Sequence, residues 1–132
     1  AEIAAAVKRS GVPAPVMKLE DPISLPRGRR ASLFALPAPS PAASELRRAL
    51  VDRLVVAGLH QPERRDFWPH VTVARVRPEG HGARRPAAVV RRPGDLPEGL
   101  KHAFGSVRLA LYRSELQPGG SRYVPLAQVE LS

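Results

Sequence analysis

The sequence predicts an α+β fold in which a mostly antiparallel sheet carries helices on its outer face. Three observations indicate this fold. A helical pattern of apolar residues occupies the middle of the chain, an alternating strand pattern begins at His70, and two further strand patterns flank a glycine-rich turn near the end. With 132 residues and 43% hydrophobic content, the chain is long enough for a core, and a single domain spanning 1–132 is expected.

Short elements fill the first forty residues. Residues 2–9 are rich in Ala and basic at their end, which predicts the last turns of a helix that stops at Gly11. Residues 16–20 and 31–36 are short apolar strand candidates. Residues 26–30 form a basic turn between them.

The clearest helix begins at Ser40 or Pro41 and ends at Ala57. Ser40 is a favourable N-cap, Pro41 fits the first helical position, and Gly58 supplies the C-terminal stop. An apolar stripe recurs at the helical period and comprises Leu46, Ala49, Leu50, Leu54 and Ala57. We therefore expect an amphipathic helix that covers one face of a sheet.

The segment 65–75 holds the most informative pattern of the chain. Apolar and polar residues alternate from His70 onward, which is typical of a β-strand. Because alternate residues share a face of a strand, His70 and Thr72 are predicted to project side by side, with Trp68 on the same side. Phe67 has the opposite parity and is expected to pack in the core.

An imidazole beside a hydroxyl is suited to handling a phosphate. The imidazole of His70 can transfer a proton near neutral pH, and the hydroxyl of Thr72 can donate a hydrogen bond to a phosphate oxygen. Arg75 can balance the phosphate charge. Its parity is opposite to that of His70, so this role requires a twist, a bulge or the end of the strand. The structural alternatives are a strand histidine satisfied by its neighbours, an ordinary strand threonine and a solvated arginine.

The C-terminal part predicts a hairpin. Residues 107–112 alternate between apolar and polar side chains, residues 117–121 form a turn, and residues 123–131 return as the last strand. Pro125 cannot donate to a ladder, which indicates a sheet edge or a bulge. Residues 87–90 fit either a helical turn or a strand.

The chain carries a net charge of +9, and 18 of its 21 basic residues are arginines. Residues 64–92 contain eight arginines against two acidic residues, which places +6 of that charge around His70. This clustering favours an anionic partner such as RNA, because guanidinium groups make bidentate contacts with phosphate. The alternative is that the arginine content reflects genome composition alone.

Composition also argues against several classes of protein. The absence of cysteine excludes a disulfide scaffold and thiolate metal sites. His60, His81 and His102 lack the spacing of a zinc site, so no metal is expected, and all three are expected to be exposed. The sequence has no signal-peptide pattern and no long apolar run, so a soluble cytoplasmic protein is expected.

Two segments of the chain together resemble a known family. The first is FWPHVTVAR at 67–75, and the second is YRSEL at 112–116 followed by Gly119, Gly120 and Tyr123. They resemble the second His-x-Thr motif and the closing hairpin of the bacterial RNA 2′,3′-cyclic phosphodiesterases, also called 2′-5′ RNA ligases. These enzymes belong to the two-histidine phosphoesterase superfamily. The resemblance extends over most of the chain and is loose over 77–101.

The resemblance implies a bilobal fold with two His-x-Thr motifs that face each other across a cleft. This sequence contains the motif once, at His70, since no other histidine is followed two residues later by Thr or Ser. The family places its first motif before the helix that corresponds to residues 2–9. The simplest account is that the N-terminal elements that carry it are not part of this sequence.

The resemblance also implies a reaction, the hydrolysis of terminal 2′,3′-cyclic phosphates of RNA to 2′-phosphates, with 2′-5′ ligase activity as a companion. His70 then takes one proton-transfer role, the activation of water, while Thr72 binds the phosphate and Arg75 balances its charge. Trp68, Arg65 and Arg77 are candidates for RNA contact. The resemblance implies neither a metal nor another cofactor. The expected partner is an RNA or oligonucleotide end rather than a membrane. A monomer is expected.

Two other functions stay open at this point. One is a non-catalytic RNA-binding module that keeps the fold and the basic surface. The other is a generic basic protein that binds nucleic acid through its arginines alone. Trp68 has its own alternative, as a large side chain that closes the sheet edge instead of stacking on a nucleobase.

Overall fold

The computed structural model describes residues 5, 13–27, 30–77, 82 and 91–131. In chain order the elements are strands β1 (Val16–Met17), β2 (Ile23–Leu25) and β3 (Leu33–Pro37), helix α1 (Pro41–Val56), strand β4 (His70–Arg75), a 3₁₀ turn (Glu98–Leu100), and strands β5 (Phe104–Gly105), β6 (Arg108–Gln117) and β7 (Gly120–Glu130). The predicted α+β class with mostly antiparallel strands is confirmed. Ala5 is helical, whereas the rest of 2–9 and all of 87–90 lie outside the described residues.

The chain forms two compact units. We call the first the hairpin unit; it consists of Ala1–Val16, Pro41–Phe67 and Gly105–Ser132. We call the second the motif unit; it consists of Met17–Ser40 and Trp68–Phe104.

A three-stranded antiparallel sheet organises the motif unit, in the order β2-β3-β4. Strand β3 lies in the centre and is the most buried of the three, with Phe34 and Ala35 almost fully shielded from solvent. Strand β2 was not predicted from sequence, because three residues between Pro22 and Pro26 are too few to show alternation. Pairing with β3 creates it. The predicted strand at 31–36 is found at Leu33–Pro37.

A polar clamp joins distant parts of the motif unit. The carboxylate of Asp21 accepts a hydrogen bond from the backbone N–H of Leu96 at 2.9 Å and forms an ion pair with Lys101 at 3.3 Å. The bond from Leu96, followed by the contact with Lys101, lowers the pKa of Asp21 below its ordinary value of 3.8. Hydrogen bonds to Glu98 and Asp21 raise the pKa of Lys101 above 10.5. Charged hydrogen bonds therefore join Asp21 to the segment 96–101.

Helix α1 supplies the core of the hairpin unit. Leu46 is buried on the helix and packs with Val129 of β7, and Leu50, Leu109 and Leu131 surround this pair. The predicted packing of an apolar helix face onto a sheet is confirmed for Leu46 and Leu50. Ala57 was expected on the same stripe, but it is exposed because it follows the last helical residue. None of the helices in the described ranges is long and apolar enough to cross a membrane.

The helix ends as its sequence predicts. Gly58 adopts a positive φ of 69°, its N–H donates to the carbonyl of Val55, and the N–H of Leu59 donates to the carbonyl of Leu54 at 2.8 Å. This pair of bonds is the Schellman motif, which satisfies carbonyl groups that the helix leaves without partners. A side chain at position 58 is disfavoured by the left-handed backbone.

Strands β6 and β7 form a long hairpin whose paired residues run from Arg108–Glu130 to Gln117–Gly120. The ladder contains one irregularity, where Leu111 pairs with Ala127 and Tyr112 with Pro125, so Leu126 is an extra residue. The bulge expected from Pro125 is present beside it. Of the apolar residues that alternate along 107–112, Leu109 packs against the core, whereas Val107 and Leu111 are exposed.

Candidate active site

Strand β4 places its two motif residues on one face of the sheet. His70 lies opposite Pro37 and Thr72 lies opposite Ala35 on β3. Directly opposed residues of an antiparallel pair share a face, and so do alternate residues along one strand. His70 and Thr72 therefore project to the same side. His70 is exposed and Thr72 is half-buried, so the imidazole is accessible and the hydroxyl is better fixed.

A β-bulge interrupts this strand at Val73. Thr72 pairs with Ala35, and Ala74 pairs with Phe34. Between these two pairs β4 advances by two residues and β3 by one. The extra residue is Val73, which is 47% exposed. A bulge of this kind offsets the alternation of side chains on the bulged strand.

The bulge carries Arg75 to the His70 face. Arg75 pairs with Leu33, which alternates with Ala35 on β3 and therefore shares its face. A regular strand would have placed Arg75 on the opposite side from His70. Strand parity required a twist, a bulge or the end of the strand for Arg75 to act beside His70. The bulge is present, and Arg75 is also the last residue of β4.

The ring of His70 has a defined tautomer. Its Nδ1 lies 2.7 Å from the backbone carbonyl oxygen of Trp68. A carbonyl oxygen can only accept a hydrogen bond, so a neutral imidazole carries its proton on Nδ1 and donates it there. The other nitrogen, Nε2, then holds the free lone pair. This is the arrangement that a general base requires.

The indole of Trp68 supports the same imidazole. The two rings are stacked, with their centroids 4.2 Å apart and their planes inclined by 16°. Together with the Nδ1 hydrogen bond, this contact restrains both the position and the rotation of the ring. Trp68 thus has a structural contact beyond the two roles weighed from sequence, the nucleobase platform and the closure of the sheet edge. The signal available in the sequence was an aromatic residue two positions before a histidine.

A groove with a volume of about 400 Å³ lies in the motif unit next to this stack. Its apolar lining comprises Ile23, Leu25, Pro37, Pro39 and Trp68. Two charged residues, Glu20 and Arg27, complete it. Neither had been singled out from the sequence, because no motif contains them and only the fold places them in one groove with Trp68. We call this feature the Trp68 groove.

The other two predicted RNA contacts, Arg77 and Arg65, do not line the Trp68 groove. Arg77 is exposed two residues beyond the end of β4. Arg65 lines a larger groove of about 710 Å³ in the hairpin unit. Phe67 was expected in the core, but it is 41% exposed and lines that second groove as well. The expectation was wrong because the strand begins only at His70, so strand parity does not reach Phe67.

The second groove does not have the charge of an anion site. Its basic residues are Arg47, Arg48 and Arg65, and its acidic residues are Asp52, Glu63 and Asp66. Arg47 forms an ion pair with Glu63, and its guanidinium lies 4.9 Å from the centre of the Phe67 ring. The positive charge is therefore matched by an equal number of carboxylates, and this groove is not a candidate for binding phosphate.

The remaining histidines differ in their surroundings. His102 is exposed as expected, and His81 lies outside the described residues. His60 was expected to be exposed, but it is half-buried and its Nε2 lies 3.6 Å from the carboxylate of Glu63. Within the described part of the chain, no group of three His, Cys, Asp or Glu residues is arranged to hold a metal ion.

Comparison with known proteins shows which fold these elements form. The protein TT0787 of Thermus thermophilus has a similar structure, with a TM-score of 0.62 and 23% sequence identity over 98% of this chain and 67% of its own. The crystal structure of a phosphoesterase gives a TM-score of 0.67 and 22% identity over the same shares of the two chains. No protein-family model and no curated protein matches the sequence. The chain therefore has the fold of these two proteins and spans about two thirds of each.

Proposed function

We propose that the protein is a phosphoesterase, and specifically an RNA 2′,3′-cyclic phosphodiesterase that converts terminal cyclic phosphates to 2′-phosphates. The observation that carries the proposal is the common face of His70, Thr72 and Arg75, which depends on the bulge at Val73. A free imidazole nitrogen, a hydroxyl and a guanidinium are together what phosphoryl transfer needs on one side of the phosphorus atom. The similarity in fold to a phosphoesterase supports the proposal.

In the proposed reaction, Nε2 of His70 removes a proton from water as the water oxygen attacks phosphorus. The new O–P bond forms while the bond from phosphorus to the ribose 3′ oxygen breaks. A second acid protonates this leaving oxygen, and one water is consumed in total. Thr72 and Arg75 stabilise the charge that develops on the phosphoryl oxygens. The second acid is the partner histidine that the family resemblance implies.

The same residues account for the companion ligase activity. If the 5′-hydroxyl of a second RNA replaces water as the nucleophile, His70 removes the hydroxyl proton and a 2′-5′ phosphodiester forms. The bond that breaks and the leaving oxygen are unchanged. Both reactions need only proton transfer and charge stabilisation, so they proceed by acid–base catalysis without a metal.

The test is hydrolysis of a nucleoside 2′,3′-cyclic phosphate by the full-length gene product and by its His70→Ala variant. Loss of the imidazole should lower kcat/KM by roughly 10²- to 10⁴-fold, because acid–base help is worth about that much. His102→Ala is the matched control, since this histidine is exposed and lies outside the sheet. Equal rates for the protein and its His70→Ala variant would contradict the proposal.

A second candidate, a non-catalytic RNA-binding module, is favoured by one observation: residues 64–92 carry a charge of +6. It predicts RNA binding that weakens steeply with salt, and no hydrolysis. Steep salt dependence together with an inactive protein would select this candidate over the phosphodiesterase.

A further inference from the structure

The Trp68 groove lies next to the proposed phosphate site at His70. Pro37 lies directly opposite His70 in the ladder and also lines the groove. Trp68 stacks on the imidazole of His70 and contributes its indole to the groove as well. A phosphate held at His70 thus has the groove as its immediate neighbour. The part of a nucleotide next to its phosphate is the ribose with its base.

The groove has the size and lining of a site for a flat ring. A volume of about 400 Å³ falls within the range of small-molecule sites. Ile23 and Leu25 are alternate residues of β2 and form one apolar patch, while Pro37, Pro39 and Trp68 add rigid apolar surface. Stacking on aromatic and apolar side chains is the usual way in which proteins hold an unpaired base.

Glu20 is exposed and supplies a directional group to this groove. Its backbone N–H donates to the carbonyl of Pro37 at 2.8 Å, which anchors Glu20 beside the residue that faces His70. A carboxylate accepts hydrogen bonds through two oxygens and donates none. Guanine presents two adjacent N–H donors, at N1 and N2, and fits this acceptor pair. Uracil presents one N–H between two carbonyl oxygens, and a carboxylate repels those two oxygens.

Arg27 matches the opposite edge of the same base. A guanidinium donates in a fork, and the O6 and N7 atoms of guanine are its commonest acceptors among the bases. Of the four bases, guanine alone combines adjacent donors for a carboxylate with adjacent acceptors for a guanidinium. Both groups line the Trp68 groove.

We propose that the Trp68 groove binds the nucleobase of the terminal nucleotide and that Glu20 and Arg27 make it prefer guanine. This inference rests on the proposed function for the position of the phosphate, and it names the preferred substrates of that site as RNA ends that terminate in guanosine.

The experiment measures binding of guanosine 2′-monophosphate and uridine 2′-monophosphate to the full-length protein. These are the products of the proposed reaction, so binding is measured without turnover. Calorimetry gives the two affinities. If the full-length protein has no tryptophan besides Trp68, its fluorescence reports contact in the groove. We expect guanosine 2′-monophosphate to bind about 5- to 150-fold more tightly, the range for one good bidentate pair, and to quench Trp68.

Glu20→Gln should lower this ratio severalfold, because the amide replaces one of the two acceptors with a donor and leaves the Arg27 contact as the main source of guanine preference. Glu98→Gln is the matched control, since Glu98 lies in the same unit and outside the groove. Equal binding of the two nucleotides by the unmodified protein would overturn the inference, and so would tight binding without a change in Trp68 fluorescence. Hydrolysis at equal rates for all four bases would overturn it while leaving the proposed function intact. A guanine preference without any hydrolysis would contradict the proposed function and leave the guanine preference of the groove intact.

Discussion

Strands β4 and β7 each contain one bulge, and the two bulges have different consequences. In β4 the extra residue is Val73, between the motif residue Thr72 and Arg75. In β7 the extra residue is Leu126, next to Pro125. The first bulge moves the guanidinium of Arg75 to the sheet face that carries His70. The second lies beside a proline that cannot donate a hydrogen bond to the ladder. The consequence of a bulge therefore depends on the side chains that it moves.

Burial separates the two strands as well. Only Thr72 is partly shielded in β4, where the other side chains are exposed. In β7, Val129 is buried against Leu46 of helix α1. The end of β7 therefore takes part in an apolar core, whereas β4 exposes its polar side chains and its valines alike. Buried apolar residues of the motif unit lie on and beside β3 instead. In the motif unit the polar clamp at Asp21 adds long-range contacts.

The largest expected effect is on stability. Leu46→Ala should lower the free energy of unfolding of the hairpin unit by about 2–5 kcal/mol, because it removes a buried side chain and leaves a cavity. Val73→Ala should cost less than about 1 kcal/mol, since Val73 is half exposed. Urea denaturation measures both. Leu116→Ala is the control for leucine truncation, because Leu116 is 90% exposed on the hairpin. Similar losses for Leu46→Ala and Leu116→Ala would contradict the burial of Leu46 against Val129.

A smaller effect concerns pH and the clamp of the motif unit. The pKa of Asp21 is lowered on folding, so its contribution to stability is complete well above pH 3.8 and is lost as the pH falls through the folded-state pKa. The pKa of Lys101 is raised, so its contribution is complete below pH 10.5 and is lost as the pH rises through the folded-state value. Asp21→Asn should therefore lower Tm slightly at neutral pH, with a difference that shrinks below pH 3.8. Thermal unfolding at a series of pH values measures it, and a difference independent of pH would contradict this account of the clamp.

Helix α1 and its end could be predicted because their signals are local. Pro41 at the start, the leucines at the helical period and Gly58 at the stop all act within a few residues, and the structure contains each of them where expected. The β6–β7 hairpin could be predicted for the same reason, since its turn and its two strands are adjacent in sequence.

The candidate site could be predicted only in part. His70 and Thr72 share a face by the alternation of any strand, so the sequence was sufficient for them. The position of Arg75 depends on a count of residues against β3, which no pattern within β4 reveals. Glu20 and Arg27 are separated from Trp68 by more than forty residues, and only the fold places all three in one groove.

Exchanging Ala74 with Arg75 tests whether the bulge at Val73 sets the face on which the guanidinium lies. In a regular strand, position 74 lies on the face of His70, and the A74R/R75A protein would keep its guanidinium at the phosphate. With the bulge, position 74 lies opposite Phe34 on the other face. We therefore expect A74R/R75A to lose about 10²-fold in kcat/KM for a nucleoside 2′,3′-cyclic phosphate, as much as Arg75→Ala alone, because transition-state charge loses its partner in both. Activity of A74R/R75A well above that of Arg75→Ala would show that the bulge does not set the position of the guanidinium.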